Sequence, residues 1–257
     1  MRNLSINGTV AEDISITGDK IEKLSIDGST VWQSVGAVIA TGTIGTNGAP
    51  WTLYADGRVM VRPGRIHWNH GTRSPWEAHE DIVTEIVFSG SGYTISQTRS
   101  LFANLMNLHT ISGMDSWNMS DVTIVRNMFR DTHSLVDLDL SAWDTSNVSD
   151  FGTMFTFGGV HSLDLSGWDT RSRTTMSSTF QDASNLSKIV LGEHFGFETN
   201  ARLVTVPNNA EFTGFWQNVG SGTSDNPQGV HILTSAQLMA TYDGSAMADT
   251  WVWQRRA

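Results

Sequence analysis

The string LDLSAWDTSNVSDFGTMF starts at Leu138, and LDLSGWDTRSRTTMSSTF starts at Leu163, 25 residues later and in gapless alignment. They share Leu, Asp, Leu, Ser, Trp, Asp, Thr and a closing Phe. A tandem repeat of this kind restricts the fold severely. One unit cannot bury its own apolar edge, so each copy must stack on the next. The pattern also runs beyond the pair. Phe102, Phe129, Phe155 and Phe180 are spaced by 27, 26 and 25 residues, and Trp117, Trp143 and Trp168 by 26 and 25. Leu108 with Ile111, Leu135 with Leu138, Val160 with Leu163 and Leu186 with Ile189 mark the corresponding strand starts. A period in the twenties with an L-x-x-L-x-L core predicts a leucine-rich solenoid.

Each unit is expected to supply one short strand, such as 138–140, then a Trp-Asp-Thr turn, then a more helical segment leading to the next strand. Val148, Phe151, Met154 and Phe155 lie at offsets 0, 3, 6 and 7, the spacing of one helix face. The expected fold class is therefore an α/β repeat. Alternation along a strand turns Leu138, Leu140, Leu163 and Leu165 inward and Asp139 and Asp164 outward. Trp143 and Trp168 are expected to stack on one another at the corner. The Met and aromatic positions read as core. Solenoids of this type bind through the exposed strand row; here that row would comprise Ser112, Asp137, Asp139, Ser162, Asp164 and Lys188. Small polar and acidic groups on a flat sheet suit hydrogen bonding to a glycan or a protein, and the alternative is an ordinary solvated face.

LVDLDLSAWDTSNVSDFGTMF closely resembles the repeat of BspA-type leucine-rich-repeat surface proteins, LxxLDLSxWDTSNVTDMxxMFxxCxx. TGTIGTNGAPWTLYADGRVMV (41–61), SPWEAHEDIVTEIVFSGS (74–91) and TSAQLMATYDGSAMADTWVWQ (234–254) look like that family's N- and C-terminal caps. The resemblance covers roughly residues 40–254 and implies a short stack of about four irregular turns between two large caps. Ser172 and Arg173 depart from the usual Asn-Val, which puts an Arg at a core aliphatic position. The first unit, ISGMDSWNMSDV, loosens the LDLS strand.

A second, smaller repeat opens the chain. LSINGTVAED (4–13), ISITGDKIEK (14–23) and LSIDGSTVWQ (24–33) recur every ten residues, each an alternating run broken by Asn-Gly, Thr-Gly or Asp-Gly. These are hairpin signals and imply a meander of very short strands. So small a sheet must dock on something or pair with copies of itself. It is either an N-terminal cap of the adjoining domain or an attachment and oligomerisation module. SINGTV, SITGDKI and SIDGSTVW resemble the hairpins of phage tail and baseplate-associated proteins. Glycines at 36, 42, 45 and 48 then punctuate SVGAVIATGTIGTNGAP, the best boundary. The organisation expected is an all-β hairpin module at 1–34, an N-terminal solenoid cap at 35–98, leucine-rich repeats at 99–197 and a C-terminal cap at 198–257.

Composition narrows the chemistry. With 16 basic against 26 acidic residues the net charge is −10, and the scattered basic residues exclude a nucleic-acid partner. The chain has no cysteine, which removes disulfides, thiolate catalysis and Cys-ligated metals. The longest apolar stretch, VGAVIA at 35–40, is too short for membrane insertion. MRNLSINGTV lacks the apolar core of a signal peptide, so with Met1 as the native start the chain is not expected to use the general secretory route.

HWNHGTRSPWEAHED is the densest cluster of reactive side chains. His67, His70 and His79 with Glu77, Glu80 and Asp81 could supply metal ligands, but no helical metalloprotease spacing is present. The expectation is surface histidines and no metal. Trp68 and Trp76 could form a sugar-stacking platform, with buried packing as the favoured alternative. No nucleophile elbow, P-loop or dinucleotide fingerprint occurs, so no catalytic residue and no cofactor are expected. These readings point to a non-enzymatic binding module. The leading expectation is a phage tail tip or fibre protein located in the virion. It would recognise a host-surface glycan or protein, contact other tail proteins through residues 1–34 and form a homo-oligomer such as a trimer. The alternative is a bacterial cell-surface leucine-rich-repeat adhesin.

Overall fold

The structure is a computed structural model. It describes residues 36–256 except Ser116 and 172–174, together with the backbone of five short strands before residue 36. Among those five, β1 (Ser5–Ile6) pairs antiparallel with β2 (Thr9–Val10). Next, β3 (Asp13–Thr17), β4 (Lys20–Ile26) and β5 (Ser29–Gln33) form an antiparallel meander. The Asn7-Gly8 and Asp27-Gly28 turn residues, and Gly18, lie outside the described residues, as does Arg173.

From residue 38 the chain winds. An antiparallel run of β6 (Val38–Thr43), β7 (Pro50–Tyr54) and β8 (Arg58–Val61) leads to β9 (Arg65–Asn69). Then come β10 (Glu85–Phe88), β11 (Thr94–Arg99) and β12 (Thr110–Ser112). Strands β8, β10 and β12 pair in parallel and bring Val59, Ile86 and Ile111 into register. Parallel coiling thus already includes strands N-terminal to residue 99. Further on, β13 (Asp137–Asp139), β14 (Ser162–Leu165) and β15 (Lys188–Leu191) pair in parallel with Leu138, Leu163 and Ile189 aligned. The ladder then turns antiparallel. β16 (Phe212–Asn218) and β17 (Ile232–Leu233) pair with each other, and β18 (Asp249–Arg255) lies between β15 and β16.

Strands β12 and β13 belong to different sheets, and the sequence contains the cause. Trp117 and Trp143 each close a turn through their backbone N–H, to Met114 O and Leu140 O respectively. Met114 therefore occupies the position of Leu140, but one residue further from the aligned Ile111. The extra residue is Gly113, at φ 83°, where a Cβ would lie 2.1 Å from the carbonyl oxygen of Phe88. Only glycine fits that bulge.

The helical return segment is a point where the structure corrects the sequence expectation, and with it the α part of the α/β class. Among the described residues the helical pieces in the chain are a single 3-10 turn at Glu77–His79 and two short helices, α1 (Ser235–Thr241) and α2 (Gly244–Met247). The repeats themselves are strands and turns, a β-solenoid of about five coils. Val148, Phe151, Met154 and Phe155 are all buried, but through consecutive turns rather than a helix. Val148 N–H bonds to Thr145 O and Met154 N–H to Phe151 O, and such three-residue turns reproduce the spacing of a helix face.

A helix is prevented because alternate amides are used between coils. Asn127, Phe129 and Asp131 donate to Gly152, Met154 and Thr156 of the next coil at 3.0, 2.9 and 3.0 Å. Thr153, Phe155 and Phe157 donate in turn to Ser177, Thr179 and Gln181. To aim every second N–H along the stack, the backbone enters the left-handed region two residues before and two after each central Phe. The pairs are Ser100 and Asn104, Asn127 and Asp131, Thr153 and Phe157, and Ser178 and Asp182, with φ between 54° and 65°. For a β-branched residue such as Thr153 this is a costly conformation, which the inter-coil bonds must offset.

Aromatic rings run through the stack. Trp76, Phe102, Phe129, Phe155 and Phe180 lie in near-parallel succession with centroids 5.3 to 6.1 Å apart. The tryptophan corner also differs from expectation. Trp117 and Trp143 stack at 6.1 Å, whereas Trp168 packs on Phe151 and Phe155. The indole N–H of Trp168 reaches back to Leu140 O of the preceding coil at 3.0 Å, as that of Trp143 does to Met114 O at 3.4 Å.

Candidate ligand-binding face

The outward side chains of β13, β14 and β15 form two rows. Asp137, Ser162 and Lys188 are in register, and so are Asp139, Asp164 and Val190. Their inward neighbours Leu138, Leu163 and Ile189 are buried, as strand alternation predicts. Five of the six expected residues are thus brought together. Ser112 is exposed but sits on the other sheet, beside Val87, because Gly113 interrupts the ladder.

The two rows differ chemically. Asp139 Oδ1 accepts from the hydroxyl and the N–H of Ser141, at 2.7 and 2.9 Å. Those bonds hold its carboxyl below the ordinary aspartate value. Asp164 accepts from Ser166 N–H at 3.0 Å in the same way. These two carboxylates fasten the turn at the strand end. The device recurs at the next turn, where Asp144 accepts from Ser146 N–H and Asp169 from Arg171, and both carboxyls are again lowered by those partners. The spacing alone did not separate turn-forming from free carboxylates, although an Asp two residues before Ser is a legible signal. Asp137, Ser162 and Lys188, by contrast, have no side-chain partner among the described residues.

The free row ends at a cavity of about 210 Å³ where β15 meets β18. Lys188 and Ser187 form one side, Phe212, Trp253 and Arg255 line it from the C-terminal sheet, and Ser224 and Asp225 come from the loop before β17. Sequence reasoning identifies these C-terminal residues only as a cap. They lie 24 or more residues from Lys188 in sequence, and the antiparallel register of Lys188 with Val252 is what joins them.

The histidines and tryptophans of HWNHGTRSPWEAHED do not converge. His67 Nδ1 lies 3.0 Å from Ser96 Oγ, the His70 ring packs tilted against Trp68 with centroids 4.2 Å apart, and His79 sits on the 3-10 turn. Among the described residues no group of three His, Asp or Glu is placed to hold a metal ion. Trp76 is fully buried as the first ring of the aromatic stack, and Trp68 donates its indole N–H to Arg73 O at 2.7 Å. No described helix is long and apolar enough to cross a membrane.

Residues 94–195, less than half of the chain, match a family described as Mycoplasma protein of unknown function, DUF285. A solved structure, the crystal structure of a leucine-rich repeat protein from Eubacterium ventriosum ATCC 27560, is similar at 17% identity with a TM-score of 0.42. That match covers 64% of this chain and 48% of that one, so this chain spans about half the length of that protein. No curated protein matches the chain. The repeat region is therefore similar to a bacterial family whose function is unknown.

Proposed function

We propose that the chain is a non-enzymatic recognition module displayed on a bacterial cell surface, binding a glycan or protein through the outward row of its parallel strands. The observation that carries this reading is the row Asp137, Ser162 and Lys188: aligned, outward and without partners in the fold among the described residues. Side chains with no partner among the described residues, set on a ladder whose inward Leu138, Leu163 and Ile189 are buried, are free to meet an external partner. The similarity of residues 94–195 to a Mycoplasma family supports a bacterial setting. The net charge of −10 argues against nucleic acid as that partner.

The test is retention of the full chain on bacterial cell-surface fractions, comparing wild type with an Asp137→Lys, Ser162→Lys variant. Neither position forms a turn, so melting should stay within roughly 2 °C while retention falls about tenfold. Unchanged retention would remove the strand row from the proposal.

A second reading, a component of a phage tail located in the virion, draws on the antiparallel decads of the first 33 residues. In that setting residues 1–34 would contact other tail proteins. Antibodies raised against the chain separate the two: labelling of intact producing cells supports the surface module, and labelling of particles released by lysis supports the tail component.

A further inference from the structure

We infer that the cavity at the C-terminal end of the strand row is a subsite for a carboxylated sugar; this deepens, and rests on, the recognition role proposed above. Lys188 is the one lysine after residue 35 in a chain of net charge −10. It has no ion pair among the described residues, although six of the eleven described arginines do. The neighbouring Arg255 is engaged by Glu211 and lies 5.2 Å from the centroid of the Phe212 ring. Lys188 is thus a half-buried residue on the cavity wall to which the described residues supply no ion-pair counter-charge, for Asp225 lines the same cavity without forming a salt bridge with it. An incoming carboxylate would supply it.

The rest of the lining fits a sugar ring. Trp253 and Phe212 meet edge to face at 5.3 Å and present aromatic surface to the cavity. Such surface packs against pyranose C–H groups. Ser187 and Ser224 offer hydroxyls, and Asp225 offers a carboxylate that can accept from sugar hydroxyls. Asp225 also selects among anions, because a second negative charge near it is penalised; a singly charged carboxylate is favoured over a phosphate dianion. At about 210 Å³ the space is smaller than the ~300 Å³ lower end for drug-sized ligands, the scale of one ring. Because Lys188 is also the last member of the row with Asp137 and Ser162, an extended saccharide could continue along it.

The test is titration of the 15N-labelled full chain with D-glucuronate, D-glucose and D-glucose 6-phosphate, following the indole N–H resonance of Trp253, assigned with Trp253→Phe. That N–H is enclosed and has no hydrogen-bond partner among the described residues, so it reports local change. Glucuronate should move it saturably, glucose should not at the same concentrations, and the phosphate should act more weakly. Lys188→Gln should weaken glucuronate binding about tenfold, and Lys188→Arg should keep it within about threefold. An equal response to glucose, an equal or stronger response to the phosphate, no response to glucuronate, or unchanged affinity in Lys188→Gln overturns the inference. Its failure is distinct from failure of the row. A chain that ignores glucuronate but loses cell-surface retention with Asp137→Lys, Ser162→Lys keeps the row and loses the subsite. The reverse pattern keeps the subsite alone.

Discussion

Asp139 shows how a single side chain can be read two ways. Strand alternation turns it outward, which marks it as available to a ligand, yet its Oδ1 is occupied by Ser141. Removing it should therefore affect folding before it affects binding. Asp139→Ala is expected to lower stability by about 1 kcal/mol, the net contribution of such hydrogen bonds. The effect should depend on pH. Ser141 holds the folded carboxyl below its unfolded value of 3.8, so the stabilisation is present above that value and fades as pH falls through the folded one. Melts between pH 6 and pH 3 should show wild type and Asp139→Ala converging on acidification. A constant gap would mean that the Ser141 bonds do not depend on the charge. Outward position was legible from the alternating pattern; which outward residues are free depended on hydrogen bonds two residues away.

At the scale of the element, the return segment is defined by the aromatic stack and the amides around it. Phe129 lies between Phe102 and Phe155, at 5.3 and 5.8 Å, and its own N–H bonds to Met154 O in the next coil. A buried ring with neighbours on both faces leaves a large cavity when truncated. Phe129→Ala should cost about 3–5 kcal/mol, measured by chemical denaturation, and Phe129→Leu clearly less. A loss below about 1 kcal/mol would show that the stack collapses around the gap. The Phe spacing of 25 to 27 residues made the stack visible in the sequence. The backbone between the rings was not visible. Three-residue turns and a helix bury nearly the same offsets, and the difference lies in whether an amide bonds within its own coil or to the next.

At the scale of the whole molecule, one continuous core runs from Ile44 to Trp251, and the parallel ladders pass at each end into antiparallel strands. The described strands of the first 33 residues pair with one another, β1 with β2 and β4 with β3 and β5, and sheets of so few short strands are marginal on their own. They are therefore expected to associate with copies of themselves. Light scattering should give a multiple of the monomer mass for the full chain and a monomer for residues 34–257. Equal monomer masses would remove the oligomerisation role.

Periodicity was enough to establish that this chain stacks repeats, which residues line the interior and which face of the central strands looks outward. Identical units can bury the same edge only against each other, so the spacing of that edge carries the architecture with it. Three features needed the folded chain. The returns are turns, Gly113 splits the ladder between Ser112 and Asp137, and Trp253 and Phe212 sit beside Lys188. Each of these depends on which backbone amide finds which carbonyl across coils or across an antiparallel register. A local pattern of apolar and polar residues carries no record of that choice.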